Sequence, residues 1–335
     1  MSITIALAGN PNCGKSTLFN ALTGSNQYVG NWPGVTVEKK GGAYKKDKEV
    51  KITDLPGIYS LSPYTLEEVV SREYLINEKP DVIVDVIDAS NIERNLYLAT
   101  QLSEIGIPMV LALNMMDVVE KNGDKIDTDK LSQEFGYPVV EISALRGKNI
   151  DKVIEVAKKV AGRKHEVVNA YDEKLEKILS DIEASAGCLA NSEYKRWYAV
   201  KLFEKDTKAT EKLELSSVER NNIDEIIAKA EEEFDDDGEG IITDARYTYI
   251  TDVVARTVSK GRAGLTTSDK IDKYVTNRLL AIPIFAAMMF LIYYVAVTVV
   301  GGPVTDWVND VFFGEIIGGN VGKMLEGAGV APWVS

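Results

Sequence analysis

The sequence predicts an α/β domain built on a mostly parallel sheet, followed by a small all-α region and one transmembrane helix. Three observations carry that prediction. Short apolar runs alternate with helical patterns over residues 1–162. The alternation then stops, and residues 163–265 show helical periodicity alone. Finally, Leu279 to Val300 is a run of 22 residues without a charge, inside a third part spanning 266–335.

The apolar runs are Ile3 to Ala8, Val50 to Thr53, Asp81 to Asp88, Met109 to Asn114 and Val139 to Ile142, each bounded by turn residues. Between them, helical patterns fall at Lys15 to Leu22, Leu66 to Ile76, Glu93 to Ile105, Thr128 to Phe135 and Ile150 to Val160. Gly42 to Lys46 and Val50 to Thr53 flank a polar turn and predict an antiparallel hairpin at the sheet edge. The later helices are expected at Glu173 to Ala186, Tyr194 to Phe203, Val218 to Glu233 and Ile242 to Lys260. His165 falls at a domain junction, and the run Asp235-Asp236-Asp237 reads as a solvated loop.

Between the first run and the first helix lies Gly9-Asn10-Pro11-Asn12-Cys13-Gly14-Lys15-Ser16, which fits G-x-x-x-x-G-K-[ST] in the strand-to-helix context that motif requires. Backbone N–H groups at a helix N-terminus would cradle phosphates, with Gly9 and Gly14 allowing the close approach. Lys15 would reach the β- and γ-phosphates, and the Ser16 hydroxyl would hold Mg²⁺. Thr17 continues the helix start. Cys13 reads as a small packing residue, although a thiol at a helix N-terminus can be reactive.

Further signals follow in order. Gln27 to Glu38, with Gly30, Trp32 and Gly34-Val35-Thr36, reads as a mobile loop whose Thr36 could join Mg²⁺. Asp54-Leu55-Pro56-Gly57 ends the hairpin strand, placing a carboxylate for Mg²⁺ and a Gly57 N–H for the γ-phosphate. Asn114-Met115-Met116-Asp117 ends another strand. There the Asp117 carboxylate can accept from N1–H and the 2-amino group of guanine, which disfavours an ATPase, and Asn114 would tie this loop to the phosphate loop. Ser143-Ala144-Leu145 follows the last strand, with the Ala144 N–H a candidate for the guanine 6-oxo group.

Composition narrows the partners. The chain has 335 residues, 38 Lys plus Arg and 51 Asp plus Glu, for a formal charge of −13, which argues against a nucleic-acid partner. Two cysteines and one histidine exclude a disulfide framework and a Cys/His zinc site. Lys260, Arg262, Lys270, Lys273 and Arg278 precede the uncharged run while Lys323 follows it, so the positive-inside rule puts the first 260 residues in the cytoplasm. The tail with Trp307, Phe312, Phe313 and Trp333 reads as interfacial. One span forms no permeation path, so the chain reads as the start of a multi-span membrane protein.

Together these motifs resemble the five signature motifs of Ras-like P-loop GTPases. In detail, Gly9 to Lys15, Val29 to Glu38, Asp54 to Leu61 and Asn114 to Asp117 closely resemble the FeoB family, bacterial ferrous-iron transporters with an N-terminal GTPase. The resemblance implies GTP and GDP as ligands, a dissociation-inhibitor-like helical domain, Fe²⁺ as the cargo of the full-length protein, and a place in the bacterial inner membrane. Ile58-Tyr59 stands where Ras-type enzymes carry a water-orienting Gln. The family's answer is K⁺, and the matching ligands are Asn12 and the backbone carbonyls of Gly30 and Trp32. Catalysis would then rest on Lys15, Asn12, Thr36 and Gly57. Whether Glu67 or Glu68 touches the attacking water stays open, as do a small cytoplasmic regulatory protein and a homo-oligomer. A membrane-tethered GTPase acting on a protein partner is the competing reading.

Overall fold

The computed structural model describes residues 2–318 except 26, 33, 164–169, 191, 212 and 262–280. Expectations resting on His165, on Arg262, Lys270, Lys273 and Arg278, on Leu279 and on the tail with Lys323 and Trp333 lie outside the described residues. Residues 1–262 form one compact unit and 263–335 a second.

The first unit is organised by seven strands: β1 (Ile3–Gly9), β2 (Gln27–Asn31), β3 (Glu38–Tyr44), β4 (Asp47–Asp54), β5 (Val82–Asp88), β6 (Met109–Asn114) and β8 (Val139–Glu141). Their order is β2-β3-β4-β1-β5-β6-β8. β1 lies between β4 and β5 and is parallel to both, and β6 and β8 extend the parallel part. The expected hairpin joins β3 to β4, and β2 adds a further antiparallel edge strand. That strand replaces the first part of the expected loop. Val29 and Tyr28 are β-formers, and pairing with Lys40 and Gly41 satisfies backbone groups that a loop would leave to water.

Because the central strands are covered on both sides, they are apolar throughout rather than alternating. On β5, Val82, Val84 and Val86 pack with α1 (Lys15–Thr23) and α6 (Ile150–Val160). Ile83 and Ile87 face the opposite way, toward α2 (Leu66–Asn77), α3 (Ile92–Ile105) and α5 (Thr128–Phe135). Besides β2, this part of the unit holds two short elements beyond the expected ones, α4 (Met116–Asn122) and β7 (Lys125–Ile126).

The helical region contains α7 (Glu173–Ser185), α8 (Lys195–Phe203), α9 (Thr207–Thr210), α10 (Ser217–Phe234) and α11 (Gly238–Thr257). It has a core of its own, yet Trp197, Ala209, Ile250 and Val253 also enter the core beneath the sheet. The acidic run is a tight corner. Asp235 takes φ 56° after α10, and Asp237 caps α11 by accepting from the Gly240 N–H at 2.7 Å. The last expected helix stops at Thr257, because Val258–Ser259 forms β9 and pairs with β7.

Buried charge joins the two parts of this unit. Arg246 on α11 donates from Nε and Nη2 to the two oxygens of Glu104 on α3, both at 2.8 Å, and from Nη1 to Glu204 at 2.8 Å. Arg72 on α2 donates to Asp206 at 2.8 Å, and Asp206 also caps α9 through the Ala209 N–H. Each ion is desolvated but paired, so removing one partner strands the other.

In the second unit the helix is longer than the uncharged run suggests. It is helical over Ala281–Phe313, 33 residues, long and apolar enough to cross a membrane. It begins as α12 (Ala281–Tyr294) and continues with π-type bonding at Val295–Gly301 and Trp307–Gly318. Pro303, which lacks an N–H, lies inside this continuous helix, just after the π-type stretch gives way to an α-helical turn.

Among the described residues, one buried carboxyl group is uncompensated. Asp85 on β5 is 1% exposed, and neither carboxyl oxygen has a hydrogen-bond partner among the described residues. Burial raises its pKa from 3.8 to about 7. Between those values the folded protein keeps a proton that the unfolded chain has released, so stability falls as pH rises through this window. Asp85→Asn removes the charge. It is expected to raise the thermal midpoint at pH 8 by about 5 °C, with the gain vanishing near pH 4, in paired melting curves. An equal gain at both pH values would contradict the ionisation argument.

Candidate functional site

The parallel strands place the ends of β1, β4, β5 and β6 on one edge, with Leu7 beside Asp54, Gly9 beside Val86 and Asp88 beside Asn114. Ligands bind at such edges in open α/β sheets. A cleft of about 770 Å³ opens there. It is lined by Asn10, Asn12, Gly14, Lys15, Ser16, Thr17, Gly57, Asn114, Met115, Asp117, Ser143, Ala144 and Leu145 from the expected set, with Pro11 and Val118 added.

Asn114 holds three of these segments together. Its Nδ2 donates to the Cys13 carbonyl at 2.8 Å, and its Oδ1 accepts the Ala144 N–H at 2.9 Å. The tie to the phosphate loop is therefore as expected. The Ala144 N–H, a candidate for the guanine 6-oxo group, donates to Asn114 Oδ1 in this structure. Gly14 takes φ 91°, and a Cβ there would stand 2.2 Å from Asn114 Nδ2, so the loop has room only for glycine.

Lys15 is buried and forms an ion pair with Asp54 while donating to the Leu55 carbonyl. Asp54 thus stands behind Lys15 rather than in the cleft lining. Cys13 is 1% exposed and burial pushes its thiol up to about 12, so it is a packing residue and not a nucleophile. Asp117 lies in the first turn of α4 and pairs with Arg146 at 3.3 Å, a partner 29 positions away that no local pattern could reveal.

The segment before β3 is placed differently from the rest. Gly34, Val35 and Thr36 do not line the cleft, nor do Gly30 and Trp32. Gly30 pairs with Lys39, and the Trp32 carbonyl accepts the Val35 N–H at 3.3 Å. Trp32 itself is 6% exposed, edge-on to Tyr74 of α2 at 5.3 Å, with Lys39 over its ring at 4.5 Å. A large aromatic anchor, more than loop composition, decides where this segment rests.

Glu68 is used structurally. It completes a capping box with Thr65 at the start of α2 and accepts the Ser60 hydroxyl at 2.9 Å. The pattern Thr65-Leu66-Glu67-Glu68 before an apolar run is the signal that announces it.

The donors present suit hard cations. The Ser16 hydroxyl and the Asn12 amide oxygen line the cleft and fit Mg²⁺ and K⁺ respectively, while the Asp54 carboxylate, ion-paired with Lys15, stands behind that lining. The Gly30 and Trp32 carbonyls stand apart from Asn12's cleft in this structure.

Residues 3–157 match the family model described as ferrous iron transport protein B, and residues 171–259 match the FeoB cytosolic helical domain. A GDP-bound variant of the S. thermophilus FeoB G-domain is 47% identical, with a TM-score of 0.75, covering 77% of this chain and 100% of that one. The chain belongs to the FeoB family. A second FeoB structure, S. thermophilus NFeoB bound to GDP, AlF4⁻ and K⁺, is 48% identical with a TM-score of 0.69, covering 75% of this chain and 98% of that one. Curated FeoB relatives include the Fe(2+) transporters of Salmonella choleraesuis, 39% identical over 315 residues, and Escherichia coli K12, 38% identical over 311. Each alignment takes in 89% of this chain, and the chain spans 39% of the length of these relatives.

Asn114→Ala deletes both bonds at the junction and leaves the Cys13 carbonyl and Ala144 N–H buried and unpaired. GDP affinity is expected to fall about tenfold or more, roughly 1.4 kcal/mol, in a titration with a fluorescent GDP. Unchanged affinity would remove Asn114 from the centre of the site.

Proposed function

We propose that this chain is the GTP-hydrolysing cytoplasmic part of a ferrous-iron uptake protein of the bacterial inner membrane, with the start of its membrane domain. The observation that carries this is the single cleft where the phosphate loop, Gly57, Asp117 and the Ser143 to Leu145 turn converge. Division at 1–162, 163–265 and 266–335 gives a G domain, a helical domain and the first membrane segment.

Lys15 and the loop N–H groups bind the β- and γ-phosphates, Gly57 meets the γ-phosphate, and Asp117 selects guanine. Ser16, Asp54 and Thr36 hold Mg²⁺, and Asn12 with the Gly30 and Trp32 carbonyls holds K⁺. When bound, the two ions offset negative charge on and between the β- and γ-phosphates. Thr36, Gly30 and Trp32 can contribute only after the segment carrying them leaves its pairing with β3. That rearrangement is the GTP-dependent step.

Contacts between the helical domain and the segment after Asp54 support a coupling of the two. Tyr64 donates to Glu239, Lys208 donates to the Pro63 carbonyl at 3.3 Å, and Arg72 is paired with Asp206. Hydrolysis shifts this segment, and the helical domain passes the shift toward the membrane part, through which Fe²⁺ is the cargo. The family of relatives named as Fe(2+) transporters supports this reading over a tethered GTPase acting on a protein partner.

The test is GTP turnover by the chain in K⁺ and in Na⁺ at equal ionic strength, for wild type and Asn12→Ala. Turnover is expected to be faster in K⁺ by about tenfold or more and to lose that preference in the variant. Equal rates in both salts would contradict the K⁺ role, and no turnover in either would contradict the GTPase reading.

A further inference from the structure

Arg94 stands in the first turn of α3, where the helix dipole disfavours a cation and where the neighbouring Glu93 is the favoured type. Its surroundings give a reason for it. The guanidinium lies 4.2 Å from the centroid of the Tyr59 ring, on the loop that follows Gly57. Its backbone carbonyl accepts from Asn10 Nδ2 of the phosphate loop at 3.5 Å. One residue therefore touches both loops that border the cleft.

Those loops are also in direct contact with each other. The Ile58 N–H donates to the Gly9 carbonyl at 3.3 Å. A Cβ on Gly57 would meet Pro11 Cα at 3.2 Å, so the two backbones pack at van der Waals distance. The far end of the segment is pinned by the Leu61 N–H, which donates to Gln101 Oε1 of α3 at 2.6 Å. Between these fixed points Tyr59 is 43% exposed, and among the described residues the contact recorded for its ring is the Arg94 guanidinium. A ring in water is a weak anchor by itself, whereas a planar guanidinium over its face supplies both stacking and charge attraction.

We propose that Arg94 is a positioning residue for GTP hydrolysis: by clamping Tyr59 from α3, it holds the Gly57 to Leu61 segment in register on the phosphate loop. The proposal rests on the GTPase reading and deepens it. This chain has no glutamine after Gly57 to orient water by its own side chain. The placement of the segment backbone then carries more of the catalytic geometry, and a small displacement there costs rate out of proportion to binding.

The test uses the full chain with Arg94→Ala, Arg94→Lys, Tyr59→Leu and the double variant Arg94→Ala/Tyr59→Leu. Two readouts are taken: amide hydrogen exchange over residues 58–61 and GTP turnover. Arg94→Ala is expected to speed exchange at 58–61 and to lower kcat about tenfold with KM within about twofold. Arg94→Lys, which keeps the cation over the ring, recovers part of both. Tyr59→Leu behaves like Arg94→Ala, and the double variant is no slower than the worse single one, because the two side chains act as one contact. Unchanged exchange at 58–61 in Arg94→Ala, or losses that multiply in the double variant, would overturn the clamp. If the wild-type chain turned over no GTP, the function proposed above would fail, while exchange at 58–61 would still decide whether Arg94 holds the segment.

Discussion

The site depends on one buried amide. Asn114 is 4% exposed, and its side chain must find partners for both ends or lose the stability of the strand that carries it. It finds them in the Cys13 carbonyl and the Ala144 N–H, which belong to the two loops on either side. A group that cannot be left unpaired thereby sets the distance between the phosphate end and the base end of the cleft. Gly14 is the corollary, since the amide occupies the space a Cβ would need.

A second constraint is the buried charge between the sheet helices and the helical domain. Glu104, Arg246, Glu204 and Lys201 form a continuous chain of pairs, and Arg72 with Asp206 forms another. Such groups add little net stability against an apolar core, but they penalise any arrangement that separates them. The shared apolar core acts in the same sense. Residues 1–262 therefore form one compact body.

Much of this was legible in the residues. The parallel strands and their helices announce themselves by period, and the phosphate loop by a motif whose flanks could be checked. Elements that escaped are those set by distant contacts. β2 forms because β3 offers it an edge, and β9 because β7 does. Trp32 looks like a loop residue until Tyr74 is brought beneath it. The Arg146 pair with Asp117 and the orphaned Asp85 carboxyl have no local signature, because each depends on what the fold places around it. The Asp235 to Asp237 run is the exposed turn its composition suggests, and Asp237 serves in addition as the cap of α11.

The most direct test of a guanine-specific site is the base preference of Asp117→Asn. A carboxylate accepts from both N1–H and the 2-amino group of guanine, whereas an amide accepts from N1–H and donates to the 2-oxo group of xanthine. Equilibrium titration of wild type and variant with GDP and with xanthosine diphosphate compares the two directly. Wild type is expected to prefer GDP, and the variant to prefer xanthosine diphosphate by about tenfold or more. A variant that keeps the wild-type order of preference would contradict Asp117 as the base-reading residue and, with it, the assignment of the cleft.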